Sequence, residues 1–113
     1  MTIDERRVGS VTILALRGRL VLDDGDDQLR QQVEGLVVEG RLKIIVDLTG
    51  IDYIDSAGVG VLIAKFLSLR RKGGDLRLLH LSPRTMHVLE VAHLLTVFPN
   101  YTSEDAAVRS FDE

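Results

Sequence analysis

The chain has 113 residues, 45% of them apolar and 27% charged, with a net charge of −3 and no cysteine. That length favours one domain and allows a core without covalent staples. The missing cysteines exclude disulfide frameworks, thiolate nucleophiles and cysteine-based zinc sites, and the scattered basic residues under a negative balance argue against a nucleic-acid surface.

The first ten residues, "MTIDERRVGS", hold no apolar signal core, and no stretch approaches the roughly 20 apolar residues of a membrane span. A cytoplasmic domain over residues 1–113, without a membrane span, is expected. Ile3 to Val8 can pair with the following segment through a Gly9-Ser10 turn. "VTILALRG", Val11 to Gly18, is rich in branched residues and reads as a strand closed by glycine. "LDDGDDQLRQQVEGLVVEG" then opens on acidic residues, which suit a helix N-terminus. Its Leu29, Val33, Leu36 and Val37 form one helical stripe, and Gly40 is placed to stop the helix.

"KIIVDL", Lys43 to Leu48, is an apolar run between charges, as in a strand covered on both faces. "TGIDYID" reads as a loop, and Ala57 to Lys72 as a helix ended by Gly73-Gly74. "LRLLHL", Leu76 to Leu81, is a further strand. Ser82-Pro83 supplies an N-cap and a proline for the first turn of a helix reaching about Val91. "TVF" is expected as a short last strand. "TSEDAAVRSF" is expected as a last helix, with Thr102 and Asp105 spaced as a capping box. Alternating strands and helices imply an α/β fold: a mixed four- to five-stranded β-sheet with about four helices packed on it.

Chemistry concentrates at "DYIDSAGVGVLIAKF". On a helical wheel Val59, Leu62, Ile63, Phe66 and Leu69 share an apolar face that must lie on the sheet. The opposite side carries Ala57, Gly60, Val61, Ala64, Lys65, Ser68, Arg71 and Lys72. Half of it is small or apolar where charge would be expected. That face is either ordinary surface or a contact for a partner, since apolar patches rimmed by charge mark interaction sites. Ser56 stands at the helix start. One reading is an N-cap whose hydroxyl accepts from the amide of Gly58 or Val59. The other is a regulated hydroxyl. Open amides and the helix dipole favour an added phosphate of about −1.5 to −2 charges, whereas a surface docked there would be repelled.

Catalysis by Ser56 is not expected. Two residues before it stands Ile54, so the G-x-S-x-G elbow is absent, and no motif ties His80, His87 or His93 to it. No nucleotide-cradling glycine loop is present, and "DDGDD" at Asp23 to Asp27 lacks the spacing of a calcium loop. Neither cofactor nor metal is expected. Asp47 and Asp55 are placed to cap loop amides or to favour a helix start.

The segment "IIVDLTGIDYIDSAGVGVLIAKFLSLRRKGGDLRLLHLSP" resembles a STAS domain, specifically a bacterial anti-sigma factor antagonist. The resemblance is carried by Asp47-Leu48, by Asp55-Ser56-Ala57-Gly58-Val59-Gly60, by Gly73-Gly74, by Ser82-Pro83 and by "HLLTVFPNYTSEDAAVRSF". It covers nearly the whole chain and implies a single STAS-like domain, with helices on one side of a sheet. It also implies a partner switch. Unphosphorylated, such a protein binds an anti-sigma factor serine kinase and so releases a sigma factor. The kinase phosphorylates the serine matching Ser56, the complex parts, and a serine phosphatase resets it. Asp55, Gly58 and Gly60 carry over as positions that shape the site. With Ser56 itself, Ala57, Val61, Ala64 and Lys65 complete the expected partner contact. Two positions depart from the family pattern: Val21 stands where many antagonists have Asp, and His93 where many have Gly. A rival reading is an unphosphorylated STAS subunit of a transport or other multi-protein complex; another is a nucleotide-binding sensor. The oligomeric state is not specified by these features.

Overall fold

A computed structural model describes residues 1–112. Five strands form one sheet in the order β1 (Thr2–Val8), β2 (Val11–Leu20), β3 (Lys43–Ile54), β4 (Asp75–Leu79) and β5 (Asn100–Tyr101). The first two pair antiparallel, from Thr2↔Arg17 to Val8↔Val11, about a turn in which Gly9 has φ +60°. The other neighbours are parallel.

Helices α1 (Asp26–Val38), α2 (Ser56–Arg71) and α3 (Pro83–Val91) are the crossovers between consecutive parallel strands. Crossovers keep one hand, so strands laid down in one direction place every crossover on the same sheet face. The main core accordingly joins Leu14, Leu16, Ile44, Val46, Leu76 and Leu78 of the sheet to Leu29, Val33, Leu62, Phe66, Leu69 and Leu89 of the helices. Alternate strand residues point the other way. Val11, Ile13, Ile45 and Leu79 form a second cluster with Ala107 of α4 (Glu104–Arg109). The last helix thus covers the opposite face, which corrects the expectation of helices on one side.

Several boundaries also differ from expectation. "TGIDYI" is not a loop, because β3 runs on to Ile54 beside an equally extended β2. Register shifts near Leu16 and Gly18 accommodate it, and Ile51 and Ile54 turn into the core. Gly50 permits the pairing, since a Cβ there would stand 2.7 Å from the Leu16 carbonyl oxygen. β4 stops at Leu79, where His80 takes φ +58°. "TVF" lies outside any strand; the fifth strand is the Asn100-Tyr101 pair. Ser103, not Thr102, caps α4 by accepting from the Ala106 amide.

Two expectations hold at α3. Ser82 Oγ accepts from the Thr85 amide at 3.1 Å, and Pro83 takes the first helical position. At its other end the Leu94 amide donates to the Leu89 carbonyl at 2.7 Å and the His93 amide to the Glu90 carbonyl at 3.0 Å. This is a Schellman closure with His93 at φ +59°, in the left-handed position that glycine usually takes. The departure from the family pattern at His93 therefore leaves the closure intact.

Candidate functional site

The C-terminal ends of the parallel strands carry the helix N-termini, and Ser56 stands there as the first residue of α2. Its cap is its neighbour. Asp55 is extended, with φ −113° and ψ −173°, and its Oδ1 accepts from the Gly58 amide at 3.0 Å. The capping role considered for Ser56 thus belongs to Asp55, and Ser56 is exposed with no such task. Asp55 Oδ2 also accepts from the Leu22 amide at 3.1 Å, so the same carboxylate ties α2 to the turn after β2. Burial alone would raise the Asp55 carboxyl. Hydrogen bonds from the amides of Gly58, Leu22 and Ala57 outweigh it together and hold the group below its ordinary value.

The glycines of the motif have different work. A Cβ on Gly58 would stand 2.2 Å from the Leu20 carbonyl oxygen and 2.9 Å from Ile54 Cγ1, so the helix start rests on the ends of β2 and β3 through this gap. A Cβ on Gly60 would meet nothing within 4 Å. Glycine in a helix interior costs about 1 kcal/mol relative to alanine. Among the described residues no close neighbour accounts for that cost at Gly60.

Helix α2 presents three sides, not two. Gly58, Val59, Leu62, Phe66 and Leu69 face the sheet. Val61, Lys65 and Ser68 turn toward α1. Lys65 Nζ bonds Glu34 Oε1 at 3.0 Å, and Lys65 and Ser68 share a groove with Val33 and Val37. The open side carries Ser56, Gly60, Ala64, Leu67 and Arg71, with Leu67 48% exposed. Val61, expected on the outer face, is only 2% exposed, because α1 lies beside α2 on the same side of the sheet. Gly58 is buried too, so of the residues expected to meet a partner these two shape the site from within. Ala57 is half-buried beside Ser56, and Lys65 is committed to Glu34.

Leu67 was not singled out by the sequence. The signal was available: at about 100° per residue it falls between Ser56 and Gly60 on the wheel. Leu22 escaped notice as well. It is 64% exposed and stands one hydrogen bond from the helix cap, an adjacency that the chain separation hides.

The other singled-out groups lie apart from the serine. His80 Nδ1 is 2.8 Å from Thr49 Oγ1, which donates to Asp47 Oδ1 at 2.6 Å. The carboxylates of "DDGDD" are divided: Asp24 meets the terminal amine, Asp26 accepts from the Asp27 amide, and Asp27 pairs with Arg30. Val21, at the position of the other family departure, is buried and closes the turn through Asp24, with 3.1 Å bonds in both directions. Among the described residues no helix is long and apolar enough to cross a membrane.

The STAS domain family matches residues 2–107. The chain belongs to that family. A protein of Bordetella bronchiseptica described as an anti-sigma factor antagonist, BtrV, is 32% identical over 111 residues, covering 98% of this chain and 93% of its own. The structure of the anti-sigma factor antagonist SpoIIAA in its unphosphorylated form superposes with a TM-score of 0.82 at 23% identity, covering 99% of this chain and 98% of that one. The phosphorylated form of SpoIIAA, from Bacillus, gives 0.75 at 23% identity, covering 96% and 99%. At these identities the structural likeness speaks for the fold.

Proposed function

We propose that this STAS protein is an anti-sigma factor antagonist that works as a phosphorylation-controlled partner switch. The observation that carries the reading is Ser56. It is an exposed hydroxyl on the first residue of a sixteen-residue helix, relieved of capping by Asp55, with Gly60 one turn on and no described atom within 4 Å of a Cβ added there. Relatives described as anti-sigma factor antagonists support it.

In the unphosphorylated state the open side of α2, through Ser56, Gly60, Ala64 and Leu67, docks on an anti-sigma factor serine kinase, and a sigma factor is released. Gly60 and Ala64 let the partner backbone come close, and Leu67 contributes apolar area. Phosphorylation brings about −1.5 to −2 charges to the helix start. The dipole and nearby amides stabilise that charge, so the fold tolerates it. A docked surface would have to desolvate it, which costs several kcal/mol unless a cation is waiting there. The complex therefore parts, and a serine phosphatase restores the hydroxyl. This cycle runs in the cytoplasm, where sigma factors act, with residues 1–113 serving as one domain.

The test is binding to an anti-sigma factor serine kinase of the same organism. Ser56→Ala should bind and refuse phosphate, and Ser56→Asp should fold and bind weakly. Equal affinity of wild type and Ser56→Asp would remove the switch. Binding without phosphate transfer would favour an unphosphorylated STAS subunit instead.

A further inference from the structure

Among the described residues six arginines pair with carboxylates: Arg6 with Glu104, Arg7 with Glu39, Arg30 with Asp27, Arg70 and Arg77 with Asp75, and Arg109 with Asp105. Arg19 and Arg84 are placed differently. Both are exposed, and neither has an ion-pair partner among the described residues. Each instead lies over the ring of Tyr53, with Cζ 5.7 Å from the centroid for Arg19 and 5.8 Å for Arg84. Arg19 and Tyr53 are register partners on β2 and β3, and Arg84 stands in the first turn of α3.

All three residues sit at the strand ends from which Ser56 projects. Tyr53 lies on β3, three residues before Ser56 at the start of α2, and the apolar Leu22 donates its amide to the Asp55 cap. Tyr53 is 43% exposed and Leu22 64%. Two guanidinium groups are thus held in place by an aromatic ring, with their donors open, on a chain whose net charge is −3. Stacking restrains an arginine without satisfying its hydrogen bonds, so little ordering remains to be lost when a carboxylate arrives. The flanking carboxylates Asp23 and Asp52 are exposed as well, so the patch is cationic at its centre and acidic at its edge.

We propose that Arg19 and Arg84, stacked on Tyr53, receive an acidic segment of the same protein partner that contacts Ser56. This rests on the partner-switch reading and extends its docking surface from α2 across the strand ends to α3. Carboxylates on the partner would meet the two guanidinium groups, with Tyr53 and Leu22 as the apolar floor. The pairing steers encounter and fixes register, so it governs association rate and salt dependence more than the apolar contact on α2 does.

The experiment measures the dissociation constant and association rate for an anti-sigma factor serine kinase of the same organism at about 50 mM and about 300 mM salt, a range over which exposed pairs are progressively screened. Wild type, Arg19→Gln/Arg84→Gln, Arg19→Glu/Arg84→Glu and Ser56→Asp are compared, and each melting temperature reports folding. The neutral double variant should lose most of the salt dependence. The reversed one should bind at least about tenfold more weakly at low salt, chiefly through slower association. Affinity and salt slope within about twofold of wild type in both double variants would overturn the inference. If Ser56→Asp still weakens binding in that case, the partner switch stands without the acidic contact. If wild type fails to bind the kinase, both fall together.

Discussion

Gly58 lies against Leu20 so closely that a Cβ on it would stand 2.2 Å from the Leu20 carbonyl oxygen. That contact sets the start of α2 on the ends of β2 and β3, and so sets where Ser56 emerges. The neighbour is backbone, which cannot swing aside as a flexible side chain could. Gly58→Ala should therefore destabilise the fold by about 1–3 kcal/mol, despite alanine's better helix propensity. A denaturant titration against wild type measures it, and an unchanged midpoint would mean that the helix start can shift freely.

Gly60 should behave in the opposite way. With nothing within 4 Å of an added Cβ, Gly60→Ala should raise stability by up to about 1 kcal/mol. The same methyl should weaken binding of the anti-sigma factor kinase, because it stands on the open side of α2 where a partner backbone is proposed to approach. Thermal melts and a binding isotherm on one protein preparation read both effects. A more stable variant with unaltered affinity would place the docking surface elsewhere.

The Asp55 cap makes a pH prediction. Its carboxyl is held below its ordinary value of 3.8 in the folded chain, so its stabilisation is fully present above that pH. It is lost as pH falls through the lower folded value. Asp55→Ala should cost about 1 kcal/mol near neutrality by removal of a helix cap, and it also leaves the Leu22 amide without its acceptor. The gap between wild type and variant should narrow as the pH is taken below 3.8. A gap constant down to the acid limit would show that the charge on Asp55 does not matter to the fold.

His93 is a left-handed residue with a side chain, at φ +59° in the closure of α3. Left-handed backbone costs a non-glycine residue about 1–2 kcal/mol. His93→Gly should recover about 1 kcal/mol, after the extra freedom glycine gains in the unfolded chain is subtracted. A higher unfolding midpoint is the expected reading, and a lower one would mean that the imidazole makes a contact worth more than the strain.

Much of this fold is legible in the residues because local chemistry and tertiary context agree. The Leu29, Val33 and Leu36 stripe is buried as its spacing demands, the Gly9 turn makes its hairpin, and Ser82-Pro83 starts α3. Misreadings arise where a neighbour distant in the chain decides. The second half of β3 looks like a loop because Gly50 and Asp52 have poor strand propensity. An extended β2 gives it a partner nonetheless, and Gly50 lets the two backbones meet. Val61 looks exposed on a two-sided wheel because the sequence does not announce that α1 packs beside α2. Ser56 and Asp55 are both good caps by type. Only the geometry assigns the task to Asp55, and that assignment leaves the serine hydroxyl at liberty.

The central claim is met most directly by incubating the purified protein with an anti-sigma factor serine kinase of the same organism and ATP, mapping the phosphosite by mass spectrometry, and titrating both forms against the kinase. Phosphate on Ser56 alone, none on Ser56→Ala, and an affinity lowered at least about tenfold by the modification are predicted. Phosphate on another residue, or a phosphorylated protein that binds as tightly as before, would contradict it.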